Sequence, residues 1–267
     1  MLVLGSDAVI VLLPPSERKT PATRGAALDL ASLHHPELTP AREQVLTALE
    51  EASASCDAAQ VLGTGASLVA EVQRNTRWRT EPAQDVRRLY SGVLYDALDL
   101  RGLPRGAAAR AAASVRVLSA AHGLLAPGDR VPAYRLAMDV DLPGTGPLAA
   151  FWREHLTPVL DAMAAEAEQV VVDCRSAAYA AAWRPPRALA ERVVAVRVLR
   201  EQDGRRSVVS HGAKHARGLV ARHLLTRRGA APKDAERLAR AVAEAFACEL
   251  SPAVPGRSRT LDVVVRD

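Results

Sequence analysis

The stretch Val9-Ile10-Val11-Leu12-Leu13-Pro14-Pro15-Ser16-Glu17-Arg18-Lys19-Thr20 passes from an unbroken apolar run straight into a proline pair and a charged loop. A short β-branched run of this kind is a buried strand. Prolines cannot continue the ladder, so the strand ends at Leu13 and the polar segment 14–24 is a loop. The wider apolar segment 1–15 also reads as buried strand rather than as a secretion signal. It has no basic start, Asp7 interrupts it, and no cleavage pattern follows. No apolar run reaches the roughly 18 residues that a membrane helix needs.

Working outward, residues 40–51 read as a helix with Thr39 as N-cap and Pro40 in its first turn. The turn Leu62-Gly63-Thr64-Gly65 leads into a second helical stretch to about Arg74. Residues 82–100 are helical with a break near Ser91-Gly92, and 107–113 form an alanine-rich helix. Residues 115–119 form a strand, 124–146 an ordered loop with short strands, and 148–168 a helix. Residues 169–174 form a strand, and a helix begins at 177. Residues 192–200 and 205–210 flank Asp203-Gly204, a hairpin signal. Helices over 214–227 and 232–247 and a strand over 260–265 close the chain. Strands alternating with helices, plus one antiparallel hairpin, give a mixed α/β (α+β) fold: a mixed sheet surrounded by helices. The connections near 101–106 and 184–188 are too short to force a split, so one domain over 1–267 is expected.

Hydrophobic residues make up 49% of the chain and charged residues 24%, which excludes extensive disorder. Aromatics are only 3%, so the core rests on Ala, Val and Leu. The net charge of +5 favours a polyanionic partner, although a genome that uses arginine freely produces the same excess. Cys56, Cys174 and Cys248 show no metal-ligand spacing and no disulfide framework, which fits a reducing cytoplasm. No metal or cofactor is expected.

Four features carry candidate chemistry. Of 35 basic residues only Lys19, Lys214 and Lys233 are lysines. Lysine is a compact charge whose pKa can move, a property arginine lacks. The turn at Gly63, Thr64 and Gly65, followed by an apolar helical pattern, is like the hairpin of a helix-hairpin-helix element. Its amides would face phosphate at a helix N-terminus. The plain interhelical turn is the competing reading. Tyr134 and Arg135 stand together in the loop segment 130–138, a composition typical of binding surfaces. Cys174, Arg175 and Ser176 follow a valine strand, where α/β sheets place their sites. Cys174 is either a nucleophile or a buried structural cysteine.

These segments resemble the YaaA family. The resemblance is carried by Leu13-Pro-Pro-Ser-Glu-Arg-Lys19, Tyr90-Ser-Gly-Val-Leu-Tyr95, Leu118-Ser-Ala-Ala-His-Gly-Leu-Leu-Ala-Pro127 and Pro132-Ala-Tyr-Arg-Leu-Ala-Met138. Phe151-Trp152, Val172-Asp-Cys-Arg-Ser-Ala-Ala-Tyr179 and Ala213-Lys-His-Ala-Arg-Gly218 continue it in family order. The resemblance implies a cytoplasmic protein of the peroxide-stress response with its own α/β fold, a basic cleft, a helix-hairpin-helix element and DNA binding. It places Lys19, Tyr134, Arg135, Lys214 and Arg217 along that cleft. Arg18 replaces a usual small residue, His122 a usual aromatic, and residues 1–8 precede the usual start.

Three functions follow as expectations. The first is sequence-independent DNA binding through Lys19, Gly63, Thr64, Gly65, Tyr134, Arg135, Arg175, Ser176, Lys214 and Arg217. The second is an enzyme acting on a nucleotide, a damaged base or a small anionic metabolite, with Lys19, Tyr134, Cys174 and Lys214 as catalytic candidates. The third is an iron-handling protein, which would need Glu-x-x-His pairs that the sequence lacks.

Overall fold

A computed structural model describes residues 9–202, 205–208 and 211–266. Ile10–Leu13 (β1) is buried at every position, as its unbroken apolar run requires. After the charged loop come α1 (Thr39–Ala54), α2 (Ala58–Val61) and α3 (Val69–Asn75). The short strand β2 (Gln84–Asp85) precedes α4 (Val86–Leu89) and α5 (Val93–Leu98), which Ser91-Gly92 separates as the sequence indicates. Then follow α6 (Arg105–Ser114), β3 (Val115–Ser119) and β4 (Gly123–Leu125). Short strands β5 (Arg130–Val131), β6 (Asp141–Leu142) and β7 (Gly146–Pro147) lead to α7 (Leu148–Glu166). The second half adds β8 (Val171–Asp173), α8 (Ala177–Ala180), α9 (Arg187–Ala190), β9 (Val193–Gln202) and β10 (Arg205–Val208). It ends with α10 (His211–Thr226), α11 (Ala235–Ala243), β11 (Ala247–Leu250) and β12 (Arg259–Arg266).

The main sheet runs β11-β12-β9-β8-β1-β3-β4, with β10 also paired to β9. β1 lies parallel to β3 on one side and to β8 on the other, and β9 is parallel to β8 and β12. β4, β10 and β11 are antiparallel additions. The chain therefore leaves β1 toward β3 and later returns to its other side at β8. Open α/β sheets form their crevices at the carboxyl ends of the strands where the order reverses in this way. Loops 14–19, 120–122 and 174–176 all emerge there. β8 pairs with β9 only over 193–195, and β10 takes up the edge of β9 that β8 vacates.

Several expectations changed on contact with packing. Thr39 does not cap α1: its hydroxyl is buried without a partner, and the helix continues directly from a 3-10 turn at Pro36–Leu38. The last helix, expected to run to 247, stops at Ala243, and residues 247–250 form the edge strand β11. Asp234 caps α11 instead, its side chain accepting from the Arg237 amide at 2.7 Å. Part of the expected loop over 124–146 belongs to the main sheet as β4. The Asp203-Gly204 turn, residues 209–210 and the leading residues 1–8 lie outside the described residues. Among the described residues no helix is long and apolar enough to cross a membrane.

A large core extends through most of the fold, and a smaller cluster of Val198, Ala213 and Ala216 lies apart from it. Within the large core Trp152 is fully buried and donates its indole N–H to the Ala120 carbonyl at 2.7 Å. That bond anchors the β3–β4 turn. Gly123 lies against the same indole with φ +69°, and an added Cβ would stand 2.5 Å from Trp152 Cζ3. Only glycine fits there.

Candidate functional site

The loop after β1 folds back on itself. Lys19 pairs with Tyr90 in an isolated antiparallel bridge, and the Thr20 amide donates to the Leu89 carbonyl at 2.9 Å. Lys19 is a half-buried residue whose amine points inward. Its Nζ donates to the Ser16 carbonyl at 2.8 Å and stands 4.1 Å from the Tyr134 ring centroid and 5.8 Å from that of Tyr90. Burial, then the neighbouring Arg135 guanidinium, bring its pKa down to about 7, while Glu71 and Glu17 act the other way. The ring faces also favour the charged form, but desolvation is the larger effect.

Beneath the amine lies a chain of hydroxyls. The Tyr90 and Tyr134 oxygens are 3.0 Å apart, and Tyr134 is 2.8 Å from Ser119 Oγ. Ser119 Oγ accepts the His122 amide at 3.1 Å and lies 3.4 Å from His122 Nδ1. His122 Nε2 is buried without a partner. All four tyrosines of the chain gather here. Tyr95 donates to the Pro14 carbonyl at 2.7 Å, its ring centroid is 5.1 Å from that of Tyr90, and Tyr179 interacts electrostatically with Tyr134. Burial pushes the phenols up, so they carry protons rather than charge.

Charged groups form the rim. Glu17 accepts from Lys214 Nζ at 3.0 Å, which holds its carboxyl below the usual range. That pair is exposed and contributes about 0–1 kcal/mol, but it bridges the β1 loop to α10. Arg135 Nη1 donates to the Glu17 carbonyl at 3.4 Å and lies 3.7 Å from Glu71 on α3. Asn75 clamps the Arg135 backbone, accepting its N–H at 2.8 Å and donating to its carbonyl at 3.0 Å. Arg217 donates to the Val196 carbonyl at 3.1 Å and sits close enough to Cys174 to act on the thiol electrostatically.

The fold thus links Lys19, Tyr134, Arg135 and Lys214 near the carboxyl end of β1, where a sheet of this order forms its crevice, and places Arg217 three residues along α10 from Lys214. It treats the remaining candidates differently. The Cys174 thiol is fully buried and pushed up to about 12, which removes the thiolate needed for attack. Arg175 is turned inward: it grips Asp173 at 2.7 and 2.8 Å and donates to the Tyr179 and Trp183 carbonyls, which engages four of its five side-chain N–H groups. Ser176 stands at the N-cap of α8, and its hydroxyl makes no capping hydrogen bond. Gly63 stands at φ +60° just past α2. The Thr64 amide bonds Ala59 O at 2.8 Å and the Gly63 amide bonds Gln60 O at 3.2 Å, a Schellman cap. Two amides read as phosphate ligands therefore close the helix behind them. Glu71 on the following helix connects this element to Arg135 and the crevice.

Two residues past Lys19 a cavity of about 440 Å³ opens, lined in part by Arg24, Gln84, Asp85, Arg88 and Arg130. The Arg24 and Arg88 side chains have no partners among the described residues. No group of histidine, cysteine and carboxylate side chains suited to a metal occurs among the described residues.

Sequence reasoning missed Glu17, Glu71, Asn75, Ser119 and His122. His122 bears on stability. Burial, then Arg42, drive its pKa down to about 3. Its folded value lies below the unfolded one, near 6.5, so the unfolded chain binds more protons between those values. Stability from this group is complete above pH ~6.5 and falls as pH drops toward 3, by roughly tenfold in the folding constant per unit. His122→Phe is expected to flatten that part of the acid-denaturation profile. An unchanged profile by circular dichroism would contradict the assignment.

A reversed-order α/β sheet with a buried lysine and a phenol cluster at its switch point defines the class of protein. Its family is then settled by comparison. The model of the peroxide stress protein YaaA family matches residues 9–249. A UPF0246 protein of Streptomyces coelicolor is 44% identical over 263 residues, covering 97% of this chain and 99% of its own. One from Corynebacterium efficiens is 39% identical over 262 residues, covering 96% and 100%. The chain belongs to the YaaA peroxide stress family.

Proposed function

We propose that the protein binds DNA through sequence-independent contacts to the phosphate backbone in this crevice. The observation that carries the reading is the gathering of Lys19, Arg135 and Lys214 around the loop that leaves β1, with Glu17 and Glu71 as their acidic neighbours and Arg217 three residues along α10 from Lys214. Backbone phosphates are held by such cations and by helix-end amides. In the α2–α3 element the capping bonds leave the amides around Gly65–Ser67 as the candidate donors. The unpaired Arg24 and Arg88 extend the cationic surface beyond Lys19.

Fluorescence anisotropy with duplex, bubble and single-stranded DNA across a salt series tests this. Affinity should fall with a log–log slope of about −0.9 per duplex phosphate contacted. Gly65→Val, at an ordinary φ with open space around the position, should fold normally and bind several-fold more weakly. Lys214→Arg should bind as the parent does, because the charge remains. No binding at low salt to any of the three DNAs would overturn the reading. The hydroxyl chain under Lys19 favours a second reading, catalysis, because phosphate contacts alone have no use for it.

A further inference from the structure

We propose that Lys19 is an imine-forming amine, and that its Nζ attacks the aldehyde carbon of a ring-opened, base-less deoxyribose in DNA held in the crevice. The inference rests on the DNA-binding reading above and names the chemistry that site would perform. A lysine reacts with a carbonyl when its amine is held without a carboxylate partner, out of bulk water, beside groups that can move protons. Lys19 meets each condition. Its hydrogen-bond partners among the described residues are the Ser16 and Glu17 carbonyls, and it lies over the Tyr134 ring. Next to it runs the Tyr90–Tyr134–Ser119 hydroxyl chain, which ends at His122, whose buried Nε2 has no partner. Lys214 differs: it is exposed and paired with Glu17. With its pKa near 7, about half of the Lys19 amine is neutral at neutral pH, whereas an ordinary lysine is almost wholly protonated.

The DNA aldehyde also suits the surroundings. A base-less sugar needs no pocket for a base, and its flanking phosphates would meet Arg135 and the arginine-lined cavity that begins two residues beyond Lys19. In the step itself the Nζ lone pair forms the C1′–N bond. The carbonyl oxygen leaves as water, taking one proton from the nitrogen and one from the hydroxyl chain, which is refilled from solvent. The resulting iminium acidifies the C2′ hydrogen. Loss of that proton to water breaks the C3′–O bond and expels the 3′ phosphate with the bonding pair, and a second water hydrolyses the imine to restore Lys19. No oxidant or reductant takes part.

The test incubates the full-length protein with a duplex bearing one abasic site, made by removing uracil enzymatically, in the presence of cyanoborohydride. Hydride from this reagent converts an iminium into a stable amine. A covalent protein–DNA adduct is expected, mapped by mass spectrometry to the peptide containing Lys19, with a rate that rises with pH through about 7. The adduct should vanish in Lys19→Arg and persist in Lys233→Arg, a lysine outside the site that pairs with Glu168. Mapping on the parent protein keeps the test sound if Lys19→Arg folds poorly. Anisotropy with the tetrahydrofuran analogue, which lacks the aldehyde, runs alongside. Binding of the analogue with no adduct, or with an adduct on the N-terminal amine or another lysine, overturns the imine proposal and leaves DNA binding standing. Failure of both removes both.

Discussion

Replacing Arg42 with methionine is expected to destabilise the protein by about 3–5 kcal/mol, the range for removing one member of a buried charged network. Arg42 projects from α1 with no exposed surface. It donates from Nε to the His122 carbonyl at 3.0 Å, from Nη1 to His35 at 3.1 Å, and from Nη2 to His34 at 2.7 Å and Leu124 at 3.0 Å. Its buried charge is offset at longer range by Asp129 and Glu37. Methionine fills the volume but leaves four carbonyls bare. Lysine cannot span them, because its donors radiate from a single atom. For a chain of this size the loss corresponds to a fall in Tm of roughly 6–20 °C. Two of the four carbonyls belong to His122 and to Leu124 on β4 just beyond it, so the same change should loosen the hydroxyl chain under Lys19. A calorimetric melt showing a loss below about 1 kcal/mol would contradict this account.

The contrast between Arg42 and Lys19 explains what was legible in the sequence. Lys19 stood out because lysine is rare in this chain and followed a strand that ended in prolines. Arg42 is one arginine among many on an ordinary helix, and nothing local marks it as buried. Strands β1, β3 and β8 were legible because apolar runs covered on both faces leave a continuous signal. β11 was not, since four residues with one half-buried face continue the pattern of the preceding helix. The crevice partners were hidden for a related reason. Glu17, Glu71 and Asn75 acquire their roles only through contacts with Arg135 and Lys214, and spacing along the chain carries no record of those. One signal was available: a chain with four tyrosines and little other aromatic content places all of them at one site. Burying a phenol requires a partner for its hydroxyl, so a cluster of phenols is costly unless the hydroxyls serve one another. The Gly63 turn is a different case: a turn between two helices does stand there, and the Gly63 and Thr64 amides are engaged in ending α2, which spacing along the chain does not record.

Gly218→Val should also destabilise the protein, and it reports on the crevice more directly than the loss of Arg42. Gly218 lies on α10 where that helix crosses α5. A Cβ there would overlap the Leu94 carbonyl oxygen and press the Ala97 Cβ at 2.9 Å. Both obstacles are parts of a packed helix, the first of them backbone, so no side chain can swing aside. The helices must separate, and overpacking of this kind costs about 1–3 kcal/mol, or more when backbone is involved. Lys214 and Arg217 lie within one turn of the contact on the same helix and would move with it. The Glu17–Lys214 bridge and the Arg217 bond to Val196 should then weaken together. Gly218→Ala should show the same effects at smaller size. Thermal melting combined with DNA anisotropy separates the two consequences: a lower Tm tests the packing, and reduced DNA affinity at a temperature where the variant is folded tests the placement of the cations. A variant that melts like the parent would mean that α10 and α5 can part without cost, and Gly218 would then have no role in setting the width of the crevice.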